Sequence, residues 1–169
     1  MANIEYLCRK ERLINMKSNE KVKMNIFGKE RELDICLVGD NEPEYNMETD
    51  KFEAVDLTKE EEKLLNWIQS VNFACYKNKI IKYINYLNEL ICEDMNDDYD
   101  LSDDEVFLPV TILINVSEFM DEETADVALF GESSYAEDGI LIAFKNGKYF
   151  GISGFDDCMN CFEDENFDE

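Results

Sequence analysis

The sequence contains no histidine and has few basic side chains. Among its 169 residues, Lys and Arg number 16 against 40 Asp and Glu, which gives a formal net charge of -24. Without imidazole the chain lacks the commonest general base, the commonest zinc ligand and every Ser-His or Cys-His nucleophile pair. A charge of this size repels nucleic acid and membrane surfaces and attracts basic partners. These features predict a protein that is not an enzyme, uses no cofactor and binds no nucleic acid.

Long apolar runs are also missing. No window reaches the roughly 18 apolar residues of a transmembrane helix, and residues 1–17 lack the continuous apolar core of a signal peptide. The seven glycines are scattered, so no glycine-rich phosphate-binding loop can be recognised. We therefore expect a cytoplasmic protein that does not bind the membrane, with its six cysteines as thiols.

The few basic residues are unevenly distributed. The first 31 residues contain 8 of the 16, and none occurs between Lys82 and Lys145, where 17 acidic residues lie. Such a segment has no cations with which to form i,i+4 pairs. Its carboxylates must be solvated, bind cations or meet a partner.

The apolar content is that of a folded protein. Apolar residues make up 45% of the chain and aromatic residues 12%, and a chain of this length buries about two thirds of its surface. Residues 21–38 alternate with period two around a turn at Gly28, which predicts a hairpin. Its buried face is expected to hold Val22, Met24, Ile26, Leu33, Ile35 and Leu37. A short strand is expected near residues 52–55.

The middle of the chain has helical periodicity. Thr58-x-x-Glu61 has the spacing of a capping box, so a helix is expected to begin at Thr58. Its apolar stripe would be Leu64, Ile68 and Val71, and a second periodic set is Ile80, Ile84, Leu87 and Ile91. Residues 72–78 either separate two helices or bend one, and the periodicity leaves both alternatives open.

Period two returns after residue 105. Residues 106–116 predict a strand with Val110, Ile112, Ile114 and Val116 on one face, and residues 125–130 predict another. Asn146-Gly147 predicts a type I′ turn between two further strands. One face of this hairpin would hold Ile140, Ile142, Phe144 and Tyr149, and the other Leu141, Ala143, Phe150 and Ile152. Because both faces are apolar, we expect the hairpin to be central in its sheet and covered on both sides.

These patterns predict one α+β domain over residues 1–169. We expect antiparallel sheets formed from the N-terminal and C-terminal hairpins, with the central helices packed on them. The β-rich parts would be 21–57 and 106–155, the helical part 58–93, and residues 156–169 an acidic tail.

Residues 93–105, EDMNDDYDLSDDE, have the ligand spacing of an EF-hand calcium loop. The ligand positions fall on Asp94, Asn96, Asp98, Asp100, Ser102 and Glu105. However, Tyr99 takes the place of the usual glycine, and the segment after Glu105 is strand-like and contains Pro109. We therefore predict no metal site and expect a solvated or partner-binding loop, with calcium binding left as an open alternative.

Cys158-x-x-Cys161 has the spacing of a metal or redox pair. A structural zinc needs four ligands, and without histidine the other two would be distant cysteines or carboxylates. The pair also lacks the strand and helix setting of a thioredoxin-like motif. Whether Cys158 and Cys161 bind a metal is left open at this point.

The second half of the chain resembles a known group of proteins. VTILINV (110–116) and DVALFGESSYAEDGILIAFKNGKYFGISGFDD (126–157) resemble small bacterial domains of unknown function related to polymorphic-toxin immunity proteins. In those domains an acidic Gly-Glu element precedes a hairpin with a Phe-Lys-Asn-Gly turn, which is Phe144 to Gly147 here. The resemblance covers residues 106–157, and the acidic segment 93–105 and the Cys158-x-x-Cys161 tail depart from it. It implies the fold and a toxin partner.

The charge and the resemblance predict the same function. We expect an acidic, non-catalytic immunity or inhibitor protein that neutralises a basic bacterial toxin, for example a nuclease. Carboxylates that face a basic surface raise the association rate and set specificity. The predicted partner-binding residues are Asp97, Asp98, Asp100, Asp103, Asp104, Glu118, Asp121, Glu122, Asp156 and Asp157.

Two other functions remain open from the sequence. One is a calcium-binding or acidic interaction module without a toxin partner, which calorimetry with Ca²⁺ would reveal. The other is a phage nucleic-acid mimic that inhibits a host nuclease, which requires carboxylates spaced like phosphates along one face.

Overall fold

A computed structural model describes residues 16–38, 41–90, 98–116 and 125–155. In these ranges the chain forms a six-stranded mixed sheet, a two-stranded sheet and two α-helices, which confirms the α+β class. In chain order the elements are β1 (Val22–Ile26), β2 (Lys29–Leu37), β3 (Tyr45–Asn46), β4 (Lys51–Phe52), α1 (Lys59–Gln69), a 3₁₀ turn (Phe73–Tyr76), α2 (Lys77–Leu90), β5 (Leu108–Ile114), β6 (Val127–Ser133), β7 (Ala136–Lys145) and β8 (Lys148–Ser153).

The large sheet has the order β1-β2-β5-β6-β7-β8. Its neighbouring strands pair antiparallel except for β2 and β5, which run parallel from the Asp34–Thr111 pair to the Leu37–Ile114 pair. The prediction of antiparallel sheets therefore needs a correction, because residues of both ends of the chain share one mixed sheet. Alternation reveals which side chains are buried but not strand direction. Parallel neighbours need a long crossover, and residues 38–107 supply it, with both helices.

The predicted central position of the C-terminal hairpin is wrong. In the described sheet β7 lies between β6 and β8, and β8 forms an edge. β7 is buried on both faces, since residues 140–144 are all buried. β8 is less buried at its start, where Lys148 is exposed and Tyr149 and Phe150 are half-buried. Asn146 and Gly147 join the strands with φ of 52° and 71°, the two positive values that a type I′ turn requires.

The predicted face of Ile152 is also wrong. Ile152 pairs with Ile142 and packs in the same core cluster. The β7–β8 register shifts between Ala143 and Phe144, and such a shift changes the alternation of one strand relative to its partner.

Val116 lies on the opposite side of the sheet from Ile112 and Ile114. The two isoleucines belong to the main core, whereas Val116 packs with Leu113 in a smaller cluster on the other face. Asn115 separates them with a φ of 62°. This left-handed residue breaks the period-two pattern, so the predicted placement of Val116 is corrected.

The two helices cover one face of the sheet. α1 packs against β5 and β6, and α2 packs against β7 and β8. The 3₁₀ turn separates them, so this part of the chain forms two helices. None of the helices in the described ranges is long and apolar enough to cross a membrane.

The buried stripe of α1 differs slightly from the predicted one. Leu65 and Ile68 are fully buried, whereas Leu64 and Val71 are half-buried at its margin. The indole of Trp67 packs edge-on against Phe144, with ring centroids 5.2 Å apart. α1 thereby contacts the strand that leads into the Asn146-Gly147 turn.

The capping box at Thr58 is confirmed, and Glu61 extends it into a buried network. The Thr58 hydroxyl accepts from the amide of Glu61, and the Glu61 carboxylate accepts from the amide of Thr58 at 2.8 Å. Glu61 is 1% exposed and also accepts from the side-chain amides of Asn41 (2.7 Å) and Asn115 (3.0 Å). One carboxylate therefore joins the start of α1 to the loop after β2 and to the end of β5.

Replacement of Glu61 by alanine should destabilise the protein by about 3 kcal/mol, because several buried donors lose their acceptor. Glu60→Ala is the matched control, since the exposed Glu60 forms a surface ion pair with Lys63 at 3.2 Å; it should cost less than about 1 kcal/mol. Urea unfolding of both variants gives the comparison. Equal losses would show that the Glu61 network contributes little.

Gly139 allows a bulge at the start of β7. Gly131 pairs with Ile140 and Ser133 with Ala136, so residues 137–139 of β7 face the single residue Glu132 of β6. Gly139 has a φ of 71°, and a Cβ there would lie 2.4 Å from the Phe130 ring and 2.8 Å from the Gly131 carbonyl oxygen. The bulge therefore needs a residue without a side chain.

Gly139→Ala should lower the free energy of unfolding by about 3 kcal/mol, because it combines a left-handed backbone with overpacking. Gly28 provides the control, since its φ is 83° but its Cβ would meet nothing within 4 Å. Gly28→Ala should cost only about 1 kcal/mol. Similar unfolding midpoints for the two variants would contradict the steric argument.

Candidate functional site

The segment 98–107 is held to the sheet by buried side chains. Tyr99 is 5% exposed and Leu101 is 2% exposed. The Tyr99 hydroxyl and the Asn88 side-chain amide are 2.7 Å apart, and the Tyr99 ring packs edge-on against Tyr135. Because these apolar residues point inward, the acidic residues between them are exposed on the surface.

The acidic side chains of this segment stabilise its turns. Asp100 accepts from both the amide and the hydroxyl of Ser102, at 2.9 and 2.7 Å. Asp103 accepts from the amide of Glu105 at 2.9 Å. These are the local bonds through which aspartate favours turns, and they fix the direction of each carboxylate.

Arg31 joins this segment to β2. Its guanidinium, with the side chain 13% exposed, lies 2.6 Å from the Asp104 carboxylate and donates to the Ser102 carbonyl at 3.4 Å. Lys29 lies 3.6 Å from the same carboxylate. Asp104 is thus already paired within the chain, unlike Asp100 and Asp103, which form no ion pair within the described ranges.

The segment lies at one end of the sheet together with the β6–β7 turn. The amide of Ser134 donates to the Glu105 carbonyl at 2.8 Å. β6 runs antiparallel to β5, and β7 runs antiparallel to β6, so the end of β6 and the start of β7 lie beside the start of β5. The start of β2 lies at the same end of the sheet, because β2 is parallel to β5. We call this surface the acidic end. Its exposed carboxylates are Asp98, Asp100, Asp103, Asp104, Glu105, Glu132, Glu137 and Asp138.

Few basic side chains balance the acidic end. Lys29 and Arg31 pair with Asp104, and the positive charges of Lys77 and Lys29 act on Asp100. The outward side of the β1–β2 pair differs, because Lys23 lies 3.9 Å from both Glu30 and Glu32 there. The acidic end is therefore strongly anionic, whereas this neighbouring surface carries charges of both signs.

Four of the ten predicted partner-binding residues lie within the described residues, and all four are at the acidic end. These are Asp98, Asp100, Asp103 and Asp104. Phe155 is also there, because its amide donates to the Asp138 carbonyl at 3.0 Å. The residues that follow it, Asp156 and Asp157, lie outside the described residues, as do Asp97, Glu118, Asp121 and Glu122.

The residues that flank 117–124 are at the opposite end of the sheet. The amide of Asn115 donates to the Asp126 carbonyl, and the amide of Asn146 donates to the Asp126 carboxylate at 2.7 Å. The chain thus leaves β5 and enters β6 beside the β7–β8 turn. A strand length separates these flanking residues from Asp98, Asp100 and Asp103.

Within the described part of the chain no group of three or more Cys, Asp or Glu side chains is arranged to hold a metal ion. Of the six positions with EF-hand spacing, Asp94 and Asn96 lie outside it. Asp100 uses its carboxylate for Ser102, and Tyr99, which takes the place of the glycine, is buried. Cys158 and Cys161 are also outside the described residues.

Sequence reasoning missed three carboxylates of the acidic end. Glu132, Glu137 and Asp138 come from β6 and β7 and meet because three residues face one in the β7 bulge. The non-alternating Glu137-Asp138-Gly139 triplet before an apolar run was the available signal. Arg31 was missed too, because its partner Asp104 is 73 residues away.

Comparison with known proteins gives no relative. No protein-family model matches the chain, and no curated protein and no solved structure matches it.

The acidic end contains two carboxyls with lowered pKa values. The Arg31 hydrogen bond holds the pKa of Asp104 below its usual value, and the Ser102 hydroxyl and amide lower the pKa of Asp100. A lowered folded pKa means that the ionised group contributes stability above the unfolded pKa, and that this contribution is lost as the pH falls through the folded pKa.

Arg31→Met should therefore raise the pKa of Asp104 and reduce the dependence of stability on pH in the acid range. Carboxyl titration by NMR measures the pKa directly. Ser102→Ala serves as the control, because it should raise the pKa of Asp100 and leave that of Asp104 unchanged. An unaltered Asp104 titration in Arg31→Met would contradict the assigned cause.

Proposed function

We propose that this chain is a non-catalytic immunity or inhibitor protein that binds a basic bacterial toxin in the cytoplasm. The observation that carries the proposal is the acidic end, where eight exposed carboxylates from three parts of the chain are balanced by few cations. A basic active site or nucleic-acid-binding surface is complementary to this charge. A nuclease toxin would present such a surface.

The rigidity of the acidic end supports the proposal. Asp100 and Asp103 are oriented by hydrogen bonds to the backbone of their own turns, and Tyr99 and Leu101 anchor the segment in the core. A partner that binds these carboxylates need not order them first, so less conformational entropy is lost on association. Asp98, Asp100 and Asp103 are the described residues that we expect to contact the toxin.

The resemblance of residues 106–157 to immunity-related domains supports the same function. The resemblance depends mainly on β-strand and turn residues, whereas the charge argument depends on surface carboxylates, of which Glu132, Glu137 and Asp138 lie within the resembling segment. The proposal also assigns toxin contact to Asp97, Glu118, Asp121, Glu122, Asp156 and Asp157, which lie outside the described residues.

Neutralising three carboxylates of the acidic end should slow binding to the toxin. We expect Asp98→Asn, Asp100→Asn and Asp103→Asn together to lower the association rate about tenfold at low ionic strength, because electrostatic steering is lost. A neighbouring gene that encodes a basic protein would supply the partner for this test. Surface plasmon resonance at increasing salt measures the rate, and growth of cells that express the toxin measures protection.

The matched control removes three exposed charges elsewhere, by Glu20→Gln, Glu48→Gln and Glu60→Gln. It changes the net charge equally, so steering by total charge alone would slow both triple variants alike. The proposal is wrong if binding is indifferent to salt and to the Asp98, Asp100 and Asp103 substitutions.

A further inference from the structure

A cavity of about 290 Å³ lies between β2 and the β3–β4 pair. Its lining includes Asp34 to Leu37 of β2, Glu42 and Pro43 of the next loop, and Phe52 and Glu53 at the end of β4. β2 begins at the acidic end, and these residues are in its second half. The cavity is therefore a separate feature from the surface proposed above.

The cavity combines an apolar lining with carboxylates. Pro43 and Phe52 supply apolar side-chain surface, and Asp34, Glu42 and Glu53 supply the charge. Ile35 and Leu37 also line the cavity, but their side chains are buried in the main core. Lys21 lies 3.5 Å from Asp34, whereas Glu42 and Glu53 have no basic neighbour within ion-pair distance among the described residues. This negative charge disfavours an anionic ligand.

Cys36 and Glu42 both line the cavity. Partial burial and the negative charge of Glu42 raise the pKa of the Cys36 thiol. The raised pKa favours the neutral form of this exposed thiol. The same negative potential would stabilise a cation at this place.

The β3–β4 hairpin beside the cavity exposes large apolar side chains, of which Phe52 lines the cavity itself. Phe52 is 67% exposed, Tyr45 is 49% exposed and Met47 is 88% exposed. The rings of Tyr45 and Phe52 pack edge to face, 5.3 Å apart. Aromatic residues and methionine are enriched where proteins meet, and three of them together on a very acidic chain mark a surface that a partner would cover.

We propose that this cavity accepts one arginine or lysine side chain from a protein partner. The apolar lining fits the aliphatic stem, and Glu42 and Glu53 receive the cationic head, with the Phe52 face available for a cation–π contact. The volume is at the small end of ligand pockets, which span roughly 300–1,000 Å³, so it suits a side chain. Tyr45 and Met47 would pack against the apolar neighbours of that side chain.

The test uses the full chain and small probes, so it does not depend on the identity of any toxin. N-acetylarginine methylamide should shift the NMR amide signals of Cys36, Phe52 and Glu53. The citrulline analogue has the same shape without the charge, and it should bind roughly fivefold more weakly or not at all. Equal binding of the two probes, or shifts confined to Glu132 and Glu137 at the acidic end, would overturn the proposal.

Two double variants test whether arginine binds in the cavity or is attracted only by the net negative charge of the protein. Glu42→Gln with Glu53→Gln should weaken arginine binding roughly fivefold. Glu60→Gln with Glu89→Gln, which makes the same charge change at two exposed helix positions outside the cavity lining, should have no effect. An equal loss of arginine affinity in both double variants would show that net charge alone attracts the probe, and it would contradict the proposed site.

A third comparison identifies the source of the cation. Acetyl-Leu-Arg-Leu-amide should bind at least about threefold more tightly than the single arginine probe, because its leucines cover Phe52 and Met47. The gain should disappear in Met47→Ala. Tighter binding of spermidine than of the peptide would contradict a protein partner. Failure of these tests leaves the toxin-binding proposal intact, since that proposal depends on Asp98, Asp100 and Asp103.

Discussion

The parallel pairing of β2 with β5 is the contact on which the rest of the structure depends. It joins the N-terminal β1–β2 pair to the four C-terminal strands and makes one sheet from both ends of the chain. A parallel connection cannot be made by a tight turn, so the long crossover has to carry the β3–β4 pair and both helices. Glu61 reinforces this connection, because it links the start of α1 to the end of β5. Formation of the sheet and docking of the helices are therefore coupled.

The same pairing determines where the charge collects. Because β2 and β5 start at one end, the segment before β5 lies beside Lys29 and Arg31 at the start of β2. The antiparallel β6–β7 turn adds further carboxylates at that end. Asp104 is paired with Lys29 and Arg31 there, and the remaining exposed carboxylates give the acidic end a negative charge that an external cation can meet. The β3–β4 pair, which the crossover carries, provides a different kind of surface with exposed rings above an acidic cavity.

The sequence predicts much of the core and little of the site. Alternation identifies the inward residues of β1 and β2, and the capping box identifies the start of α1, because both signals are local. Val116 and Ile152 are misplaced because a left-handed Asn115 and a register shift after Ala143 change the phase of the alternation. The strand direction of β2 and β5 and the Arg31–Asp104 contact depend on chain segments more than 70 residues apart. No pattern among neighbouring residues of the sequence indicates such a contact.

Trp67 gives the protein an internal optical reporter. It is the single tryptophan of the chain, it lies on α1, and its indole touches Phe144 and the Gly147 turn. Its fluorescence therefore responds to the separation of the first helix from the last two strands. Since those strands and that helix come from different halves of the chain, the emission wavelength of one residue reports whether the two halves have assembled.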